Sequence, residues 1–255
     1  MSDLDVRAFT VGPVQENCYI VRAGASAHAL DDAPGSTRAL IVDPGDEPQR
    51  VLSAAAALGV TIEAILVTHT HFDHIGAVAP VARATGAPVY CPQIERSVLA
   101  DIMRWVPPGF GPFESYEADH TLAGGEQLSL AGLEIDVLST PGHSPGHLTF
   151  AIGLPSAQPE QGTARPAGRE RGLLSGDVLF QGSVGRVDLP GGDWPTLERS
   201  IGRLMQSFPP GTVVYPGHMA VTTLGRELET NPFLRELRAG VPQTAAPPGG
   251  TAPAS

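Results

Sequence analysis

The chain has 255 residues, a formal net charge of −11 and 16 basic side chains, all of them arginine. The absence of lysine excludes a Walker-type phosphate loop and a Schiff-base lysine, and the acidic balance argues against a nucleic-acid partner. No apolar run approaches the roughly 18 residues of a membrane span, and residues 1–11 lack the apolar stretch of a signal peptide. We therefore expect no membrane association and a cytoplasmic location.

The predicted elements alternate between strands and helices along the chain. Apolar runs predict strands over 17–22, 39–42, 64–68, 147–154, 173–175 and 212–215, with a hairpin over 126–138. Helical spacing predicts helices over 47–58, 194–208 and 224–237, the last interrupted at Asn231-Pro232. Because strands precede helices in both halves, we predict an α/β chain with a single domain over 1–239 that contains two similar βα halves.

Three segments do not fit regular elements. Residues 23–38 and 155–172 are rich in small and polar side chains, so we predict surface insertions there, whose role the sequence does not define. Residues 240–255 have too few large apolar groups to pack well and are predicted to form a flexible tail. Cys18 and Cys91 lie far apart without CxxC spacing, which predicts two buried free thiols rather than a disulfide or a zinc knuckle.

The strongest local signal is the segment 68–74, Thr-His-Thr-His-Phe-Asp-His, directly after a predicted strand. His69 and His71 can point to one side of such a turn while Asp73 and His74 point to another. Two adjacent metal ions require this arrangement, because imidazole nitrogens suit a borderline cation and a carboxylate can also hold a water molecule. We therefore interpret the segment as metal-binding rather than as a solvated polar loop.

Three further strand ends carry side chains of the same kinds. His143 and His147 lie in a Gly- and Pro-rich turn after the hairpin, Asp177 follows 173–175, and His218 follows 212–215. His143 is the better ligand candidate, whereas His147 is predicted to make a supporting hydrogen bond. Because ligand sites in α/β sheets gather outside the strand ends, these residues point to one common centre.

The order of the four motifs, HTHFDH, PGHSPGH, SGD and PGH, resembles that of the metallo-β-lactamase superfamily over about residues 5–238. Within that superfamily, the sequence is similar to the short type of glyoxalase II-like hydrolase. That similarity lies in Asn-Cys-Tyr at 17–19, Asp-Pro-Gly at 43–45, the segment 176–193 and Glu-Thr-Asn-Pro-Phe-Leu at 229–234. The resemblance implies an αββα sandwich.

The resemblance also implies a set of ligands for two divalent metal ions. It assigns metal 1 to His69, His71 and His143, and metal 2 to Asp73, His74 and His218, with Asp177 bridging the two. Zinc is the expected metal, and iron and manganese stay open because both accept nitrogen and oxygen ligands.

Two residues outside the ligand set also match the family. Asp43 corresponds to an aspartate that supports the site, and Arg186 falls where glyoxalase II enzymes carry a basic residue for the carboxylate of the thiol carrier. The alternative for Arg186 is an ion pair with Asp188 or Asp193.

The expected activity is therefore thioester hydrolysis, similar to that of hydroxyacylglutathione hydrolases. A hydroxide bridging the two metals would attack the thioester carbonyl, and Asp73 would orient that hydroxide as the catalytic residue. Barely 20 residues follow His218 before the predicted tail, whereas the classical enzyme has a longer helical portion that binds glutathione. The expected partner is a small anionic thioester, with its acyl group, its thiol carrier and the oligomeric state left open.

Two alternatives stay open beside this reading. A mononuclear iron persulfide dioxygenase has the same ligand order but binds a single iron. A non-catalytic metal-binding protein on the same fold is the alternative from another class, although such relatives typically lose ligands. A β-lactamase is less favoured because that family usually has Cys or His where this chain has Asp177.

Overall fold

The computed structural model describes residues 4–24, 37–155 and 171–240. Their strands form two six-stranded sheets and one short hairpin. In chain order the strands are β1 (Leu4–Val11), β2 (Glu16–Ala23), β3 (Arg38–Val42), β4 (Thr61–Leu66), β5 (Val89–Pro92), β6 (His120–Leu122), β7 (Gln127–Leu130), β8 (Leu133–Ser139), β9 (Leu148–Gly153), β10 (Gly172–Gly176), β11 (Leu179–Phe180), β12 (Ser183–Val184), β13 (Val213–Pro216) and β14 (Thr222–Thr223).

The helices are short, with α5 the longest among the described residues. In chain order they are α1 (Pro48–Ala57), α2 (Phe72–Ile75), α3 (Val78–Thr85), α4 (Arg96–Ala100), α5 (Trp194–Ser207), α6 (Leu224–Thr230) and α7 (Arg235–Gly240). Local chemistry sets where α5 begins: the Asp193 side chain accepts the Thr196 N–H, and a proline follows in the first turn. Over the described ranges, no helix has the length and apolarity needed to cross a membrane.

The order of strands brings several carboxyl ends to one edge of each sheet. In the first sheet the order is β1-β2-β3-β4-β5-β6, with β3 to β6 parallel. In the second sheet the order is β14-β13-β10-β9-β8-β7, with β10 and β13 parallel. Because parallel strands end at the same edge, the segments that follow β3, β4 and β5 are neighbours, as are those that follow β10 and β13.

Alternation along the central strands divides the interior into three apolar cores. Tyr19 of β2 and Phe150 of β9 belong to the core between the two sheets. Ile20, which points to the opposite face of β2, packs in the core that includes α1 and α3. Ala151 of β9 packs in the core that includes α5. The layers are thus helix, sheet, sheet and helix, which confirms the α/β fold of the αββα type.

The structure also shows where the predictions from sequence were incomplete. The helix over 47–58 and the hairpin over 126–138 are present as α1 and β7-β8, and the break at Asn231-Pro232 separates α6 from α7. The sequence did not predict strands β1, β5, β6, β11, β12 and β14 or helices α3 and α4. Cys18 and Cys91 are buried free thiols, as expected. Residues 25–36, 156–170 and 241–255, which contain most of the predicted insertions and tail, lie outside the described residues.

Candidate metal centre

Strand ends from both sheets bring the predicted ligands together. His69 and His71 follow β4, while Asp73 and His74 lie in α2 directly afterwards. From the second sheet come His143 after β8, Asp177 after β10 and His218 after β13. These side chains form two groups of three that have ligand atoms within 4.8 Å of one another: His69, His71 and His143, and Asp73, His74 and His218.

The first group, which we call the three-histidine site, has three ring nitrogens facing a common point. His71 Nδ1 lies 3.1 Å from His69 Nε2 and 2.8 Å from His143 Nε2, and the two Nε2 atoms are 3.2 Å apart. Nitrogens bound about 2.05 Å from one tetrahedral zinc ion are about 3.3 Å apart. The spacing therefore suits a single cation of zinc size.

Hydrogen bonds on the other ring nitrogens set the tautomers of this site. The Thr68 hydroxyl donates to Asp43 Oδ2 (2.6 Å), so its oxygen accepts from His69 Nδ1–H at 3.0 Å. His143 Nδ1–H donates to the backbone carbonyl of Arg186 at 2.7 Å. The rings of His69 and His143 therefore present an unprotonated Nε2 toward the site, which is the form that binds a metal, while His71 faces it with Nδ1.

The second group contains one carboxylate and two imidazoles, and we call it the aspartate site. Asp73 Oδ2 lies 3.3 Å from His218 Nε2 and 3.9 Å from His74 Nε2. His74 Nδ1–H donates to Asp43 Oδ2 at 3.0 Å, and His218 Nδ1–H donates to the Gln15 carbonyl at 3.2 Å. Both Nε2 atoms are thus directed toward Asp73.

Asp177 lies between the two groups. Its Oδ2 atom is 3.5 Å from His143 Nε2 and 3.6 Å from His218 Nε2, while its Oδ1 atom is 3.4 Å from His74 Nε2. Asp177 Oδ1 and His74 Nε2 are buried without a hydrogen-bond partner among the described residues. Because orphaned buried polar atoms are costly, bound cations at this position would satisfy both of them. The residues present therefore fit a centre for divalent metal ions.

The carboxylate of Asp43 connects the two groups through hydrogen bonds. Its Oδ1 atom accepts the Thr68 backbone N–H at 2.7 Å, and its Oδ2 atom accepts both the Thr68 hydroxyl and His74 Nδ1–H. The backbone of Asp43 is held at φ 49°, a left-handed conformation that aspartate tolerates better than most residues. Its carboxylate thus orients His69 through Thr68 and His74 directly.

His147 makes a hydrogen bond rather than joining either group. Its Nε2 atom accepts the backbone N–H of Asp177 at 3.0 Å, so Nδ1–H donates to the Thr140 hydroxyl at 3.1 Å. The ring also stacks on His69, with centroids 4.8 Å apart. His147 therefore fixes the backbone of Asp177 and one face of His69.

Burial and charge act differently on the two groups. Burial, followed by the neighbouring histidines, lowers the pKa of His69 well below its ordinary value and that of His71 to about 4. Burial also disfavours a charged His74, but the carboxylates of Asp177 and Asp73 outweigh it and raise the pKa of His74. Burial thus favours the neutral forms of His69 and His71, whereas the carboxylates of the aspartate site favour the charged form of His74.

Glu16 is a further buried carboxyl beside the centre. Neither of its oxygens has a hydrogen-bond partner among the described residues, and its Oε1 atom lies 3.8 Å from His74 Nδ1. Burial raises the pKa of Glu16 well above its ordinary value. Burial therefore disfavours the charged form of this side chain.

Arg186 contributes to the centre through its backbone. Its guanidinium makes two hydrogen bonds of 2.7 Å to Asp188, which is the ion pair considered from the sequence, and its side chain is 62% exposed. Only its carbonyl contacts a predicted ligand, His143. A role of the guanidinium in substrate binding stays a prediction.

A small apolar cleft adjoins the aspartate site. Apart from Asp73, it is lined mainly by apolar side chains, among them Val11, Val14, Phe72 and Phe113. The Phe72 ring packs on Phe110 and Phe113, with centroids 4.6 and 6.2 Å away. One side of the centre is thus apolar.

Several contributors to the centre were not found by sequence reasoning. Thr68 directly precedes the HTHFDH motif but was not singled out, and the carbonyls of Gln15 and Arg186 give no side-chain signal. Glu95 hydrogen-bonds to two loops of the centre, and no sequence motif surrounds it. Each of them makes at least one contact distant in sequence, which local spacing does not reveal.

The chain belongs to the metallo-beta-lactamase superfamily, whose family model matches residues 11–156. Among its relatives, the probable metallo-hydrolase YqgX of Bacillus subtilis is 36% identical over 89% of this chain and 96% of its own length. Hydroxyacylglutathione hydrolase GloC of Haemophilus influenzae is 30% identical over 91% of this chain and 98% of its own length. The fold and the His/Asp centre thus define a member of a metallo-hydrolase superfamily.

Two solved structures are similar over most of this chain. The BLEG-1 B3 metallo-beta-lactamase superposes with a TM-score of 0.75 at 35% identity, covering 91% of this chain and all (100%) of that one. TTHA1623, solved in a di-iron-bound form, superposes with a TM-score of 0.63 at 37% identity, covering 89% of this chain and all (100%) of that one.

Proposed function

We propose that this protein is a binuclear metallo-hydrolase that cleaves thioesters of the hydroxyacylglutathione type. The observation that carries the proposal is the position of Asp177, with one carboxylate oxygen near His143 and His218 and the other near His74. A carboxylate placed in this way suits two adjacent cations better than one. The similarity to GloC along nearly the whole chain supports a thioester as the substrate.

The residues of the chain have distinct tasks in this reaction. Two divalent cations bound here would lower the pKa of a water molecule toward neutrality and polarise the thioester carbonyl. Asp73 is the catalytic residue of this proposal, because its carboxylate, 15% exposed and 3.3 Å from His218 Nε2, could orient that water. Water adds across the carbon–sulfur bond to give a carboxylic acid and a thiol. Because a thiolate leaves readily, no strong general acid is needed.

The surroundings favour a small anionic substrate with a compact acyl group. The apolar side chains beside Asp73 are proposed to face the acyl group, and the exposed guanidinium of Arg186, whose backbone carbonyl contacts His143, is proposed to bind a carboxylate of the thiol carrier. The net charge of −11 disfavours nucleic acid. We propose the cytoplasm as the location.

Zinc is the proposed metal, with iron as the first alternative. Three imidazoles in a tetrahedral arrangement suit zinc, but imidazole also binds iron and manganese. The di-iron-bound form of TTHA1623 makes iron the alternative that measurement must address first.

A second candidate function is β-lactam hydrolysis. It is favoured by the 35% identity to a protein described as a B3 metallo-beta-lactamase. Asp177 argues for the thioesterase, because the resemblance places Cys or His at that position in most β-lactamases. Persulfide oxidation at a single iron and metal binding without catalysis are the remaining alternatives.

A substrate panel with metal-quantified protein tests the proposal. The panel contains a hydroxyacylglutathione, an acyl-coenzyme A, a chromogenic cephalosporin, and glutathione persulfide with oxygen uptake recorded. We expect two metal ions per chain and fastest turnover on the glutathione thioester. A single iron with oxygen uptake, faster cleavage of the cephalosporin, or no turnover of any substrate would each contradict the proposal in favour of a named alternative.

A further inference from the structure

Glu95 is a buried carboxylate beside the metal centre that the reaction itself does not use. It ends the turn Gln93–Glu95, which follows β5, the strand parallel to and next to β4 in the first sheet. Because the two strands are parallel, the turn after β5 lies at the edge where β4 delivers His69 and His71. Glu95 is only 5% exposed.

Both oxygens of Glu95 accept hydrogen bonds from the two loops that carry the ligands of the three-histidine site. One loop carries His69 and His71, and the other carries His143. Oε2 accepts the backbone N–H of Thr70 at 2.8 Å and the Thr70 hydroxyl at 2.9 Å. Oε1 accepts the backbone N–H of Gly146 at 2.7 Å. Thr70 stands between His69 and His71, and Gly146 belongs to the turn that carries His143.

The two loops come from different sheets, so this carboxylate links the two halves of the sandwich at the metal centre. A Cβ atom at Gly146 would lie 2.9 Å from Cγ of Glu95, which shows how closely this loop approaches the carboxylate. No ion pair joins Glu95 to a cationic side chain within the described ranges. Its hydrogen bonds to the two loops are therefore its principal interactions.

We propose that Glu95 is a positioning residue that fixes the spacing between the His69/His71 loop and the His143 loop. It thereby sets the affinity of the three-histidine site for its cation. The inference rests on the metal centre of the proposed function. Three ring nitrogens from two loops can converge only if the loops are held in register, and supporting hydrogen bonds of this kind are typically worth about 10- to 100-fold in metal affinity.

The test separates the two groups by removing one ligand from each in turn. In a His218→Ala background, which leaves the three-histidine site complete, Glu95→Ala is expected to weaken Zn²⁺ binding about 10- to 100-fold by calorimetry. In a His143→Ala background, which leaves the aspartate site complete, the same substitution leaves Zn²⁺ affinity unchanged. Glu95→Gln should lose less affinity than Glu95→Ala, because the amide oxygen still accepts one hydrogen bond.

Two further variants keep the test decisive. Val81→Ala removes buried volume from α3 without touching either loop, so it should lower thermal stability but keep wild-type Zn²⁺ affinity. If Glu95→Ala does not fold, Gly146→Ala replaces it, because its methyl group displaces the carboxylate while Glu95 is retained.

The absorption spectrum of bound Co²⁺ gives a readout that stability alone would not change. We expect Glu95→Gln to shift the bands of the three-histidine site and Val81→Ala to leave them unchanged. Equal affinities and spectra for wild type and the Glu95 and Gly146 variants would overturn the inference. Failure of the wild-type protein to bind any metal would instead overturn the proposed function.

Discussion

At the residue scale, four of the five candidate histidine ligands are oriented by a hydrogen bond on their second ring nitrogen. His69 donates to Thr68, His74 to Asp43, His143 to the Arg186 carbonyl and His218 to the Gln15 carbonyl. The motif spacing predicted the candidate ligands because they follow strand ends. It could not predict these partners, since most of them belong to segments far away in the chain.

Replacing Asp73 tests its catalytic task. We expect Asp73→Ala to abolish hydrolysis of an acylglutathione thioester while the fold survives, because the side chain is partly exposed and belongs to none of the three apolar cores. Thioester turnover, metal content and the circular dichroism spectrum are measured together. Near-full turnover by the folded variant would disprove the assignment.

Replacing Arg186 tests its proposed contact with the substrate carboxylate. We expect Arg186→Ala to raise KM for a carboxylated thioester about twofold to fivefold, the effect typical of an exposed ion pair, with kcat and metal content nearly unchanged. Metal content should hold because only the backbone carbonyl of this residue contacts His143.

Asp188→Ala is the matched control, because it releases the guanidinium from its ion pair. KM for the same substrate should then fall or stay the same. An Arg186→Ala enzyme with wild-type KM would leave the ion pair as the only role of this side chain.

At the element scale, the loops after the strands determine the centre, and two glycines let them approach closely. A Cβ atom at Gly217 would collide with Asp177 Oδ1 and lie 2.6 Å from Cε1 of His74. Gly176, at φ 46°, faces Thr68 and His147 at similarly short range. Such close approaches explain why glycine stands next to ligand positions in the SGD and PGH motifs.

Gly217→Ala is therefore expected to reduce both metal content and thioester turnover at least about tenfold by displacing Asp177 and His74, which would hold the metal ions of the proposed centre. Gly211→Ala is the control, since no atom lies within 4 Å of its Cβ position. Metal content by elemental analysis compares the two variants. Equal metal content and activity would show that the centre tolerates the displacement.

The fold was predictable from sequence mainly for its central strands. Strands β2, β3 and β4 are almost entirely buried and read as apolar runs, so their pattern is strong. Strand β1 at the sheet edge mixes half-buried and exposed residues, and β6 has only three residues, so neither gives a clear signal. The αββα layering was predicted from the resemblance alone, because local periodicity in the sequence does not show which distant strands pair.

At the scale of the whole molecule, negative charge is concentrated at the centre of an acidic protein. Asp43, Asp73 and Asp177 lie within one site, and although burial disfavours the charged form of Asp177, the neighbouring His74 outweighs it and lowers the pKa of Asp177. Two divalent cations would compensate these charges and tie both sheets together. Metal binding should therefore contribute to the stability of the entire fold.

Metal removal is expected to lower the thermal midpoint by about 10 °C. A ligand present at about a thousandfold excess over its Kd contributes roughly 4 kcal/mol, and each kcal/mol shifts the midpoint of a protein this size by about 2–4 °C. Calorimetry with and without a chelator measures the shift, and added Zn²⁺ should reverse it. An identical midpoint in the chelated protein would contradict a structural contribution of the metals.

The central claim, hydrolysis of a thioester at a two-metal centre, is tested most directly by titrating metal-free protein with Zn²⁺ while hydrolysis of a hydroxyacylglutathione is recorded. The account predicts that turnover rises until two equivalents per chain are bound and then levels off. Absence of thioester hydrolysis with both equivalents bound, or full activity with a single one, would contradict it.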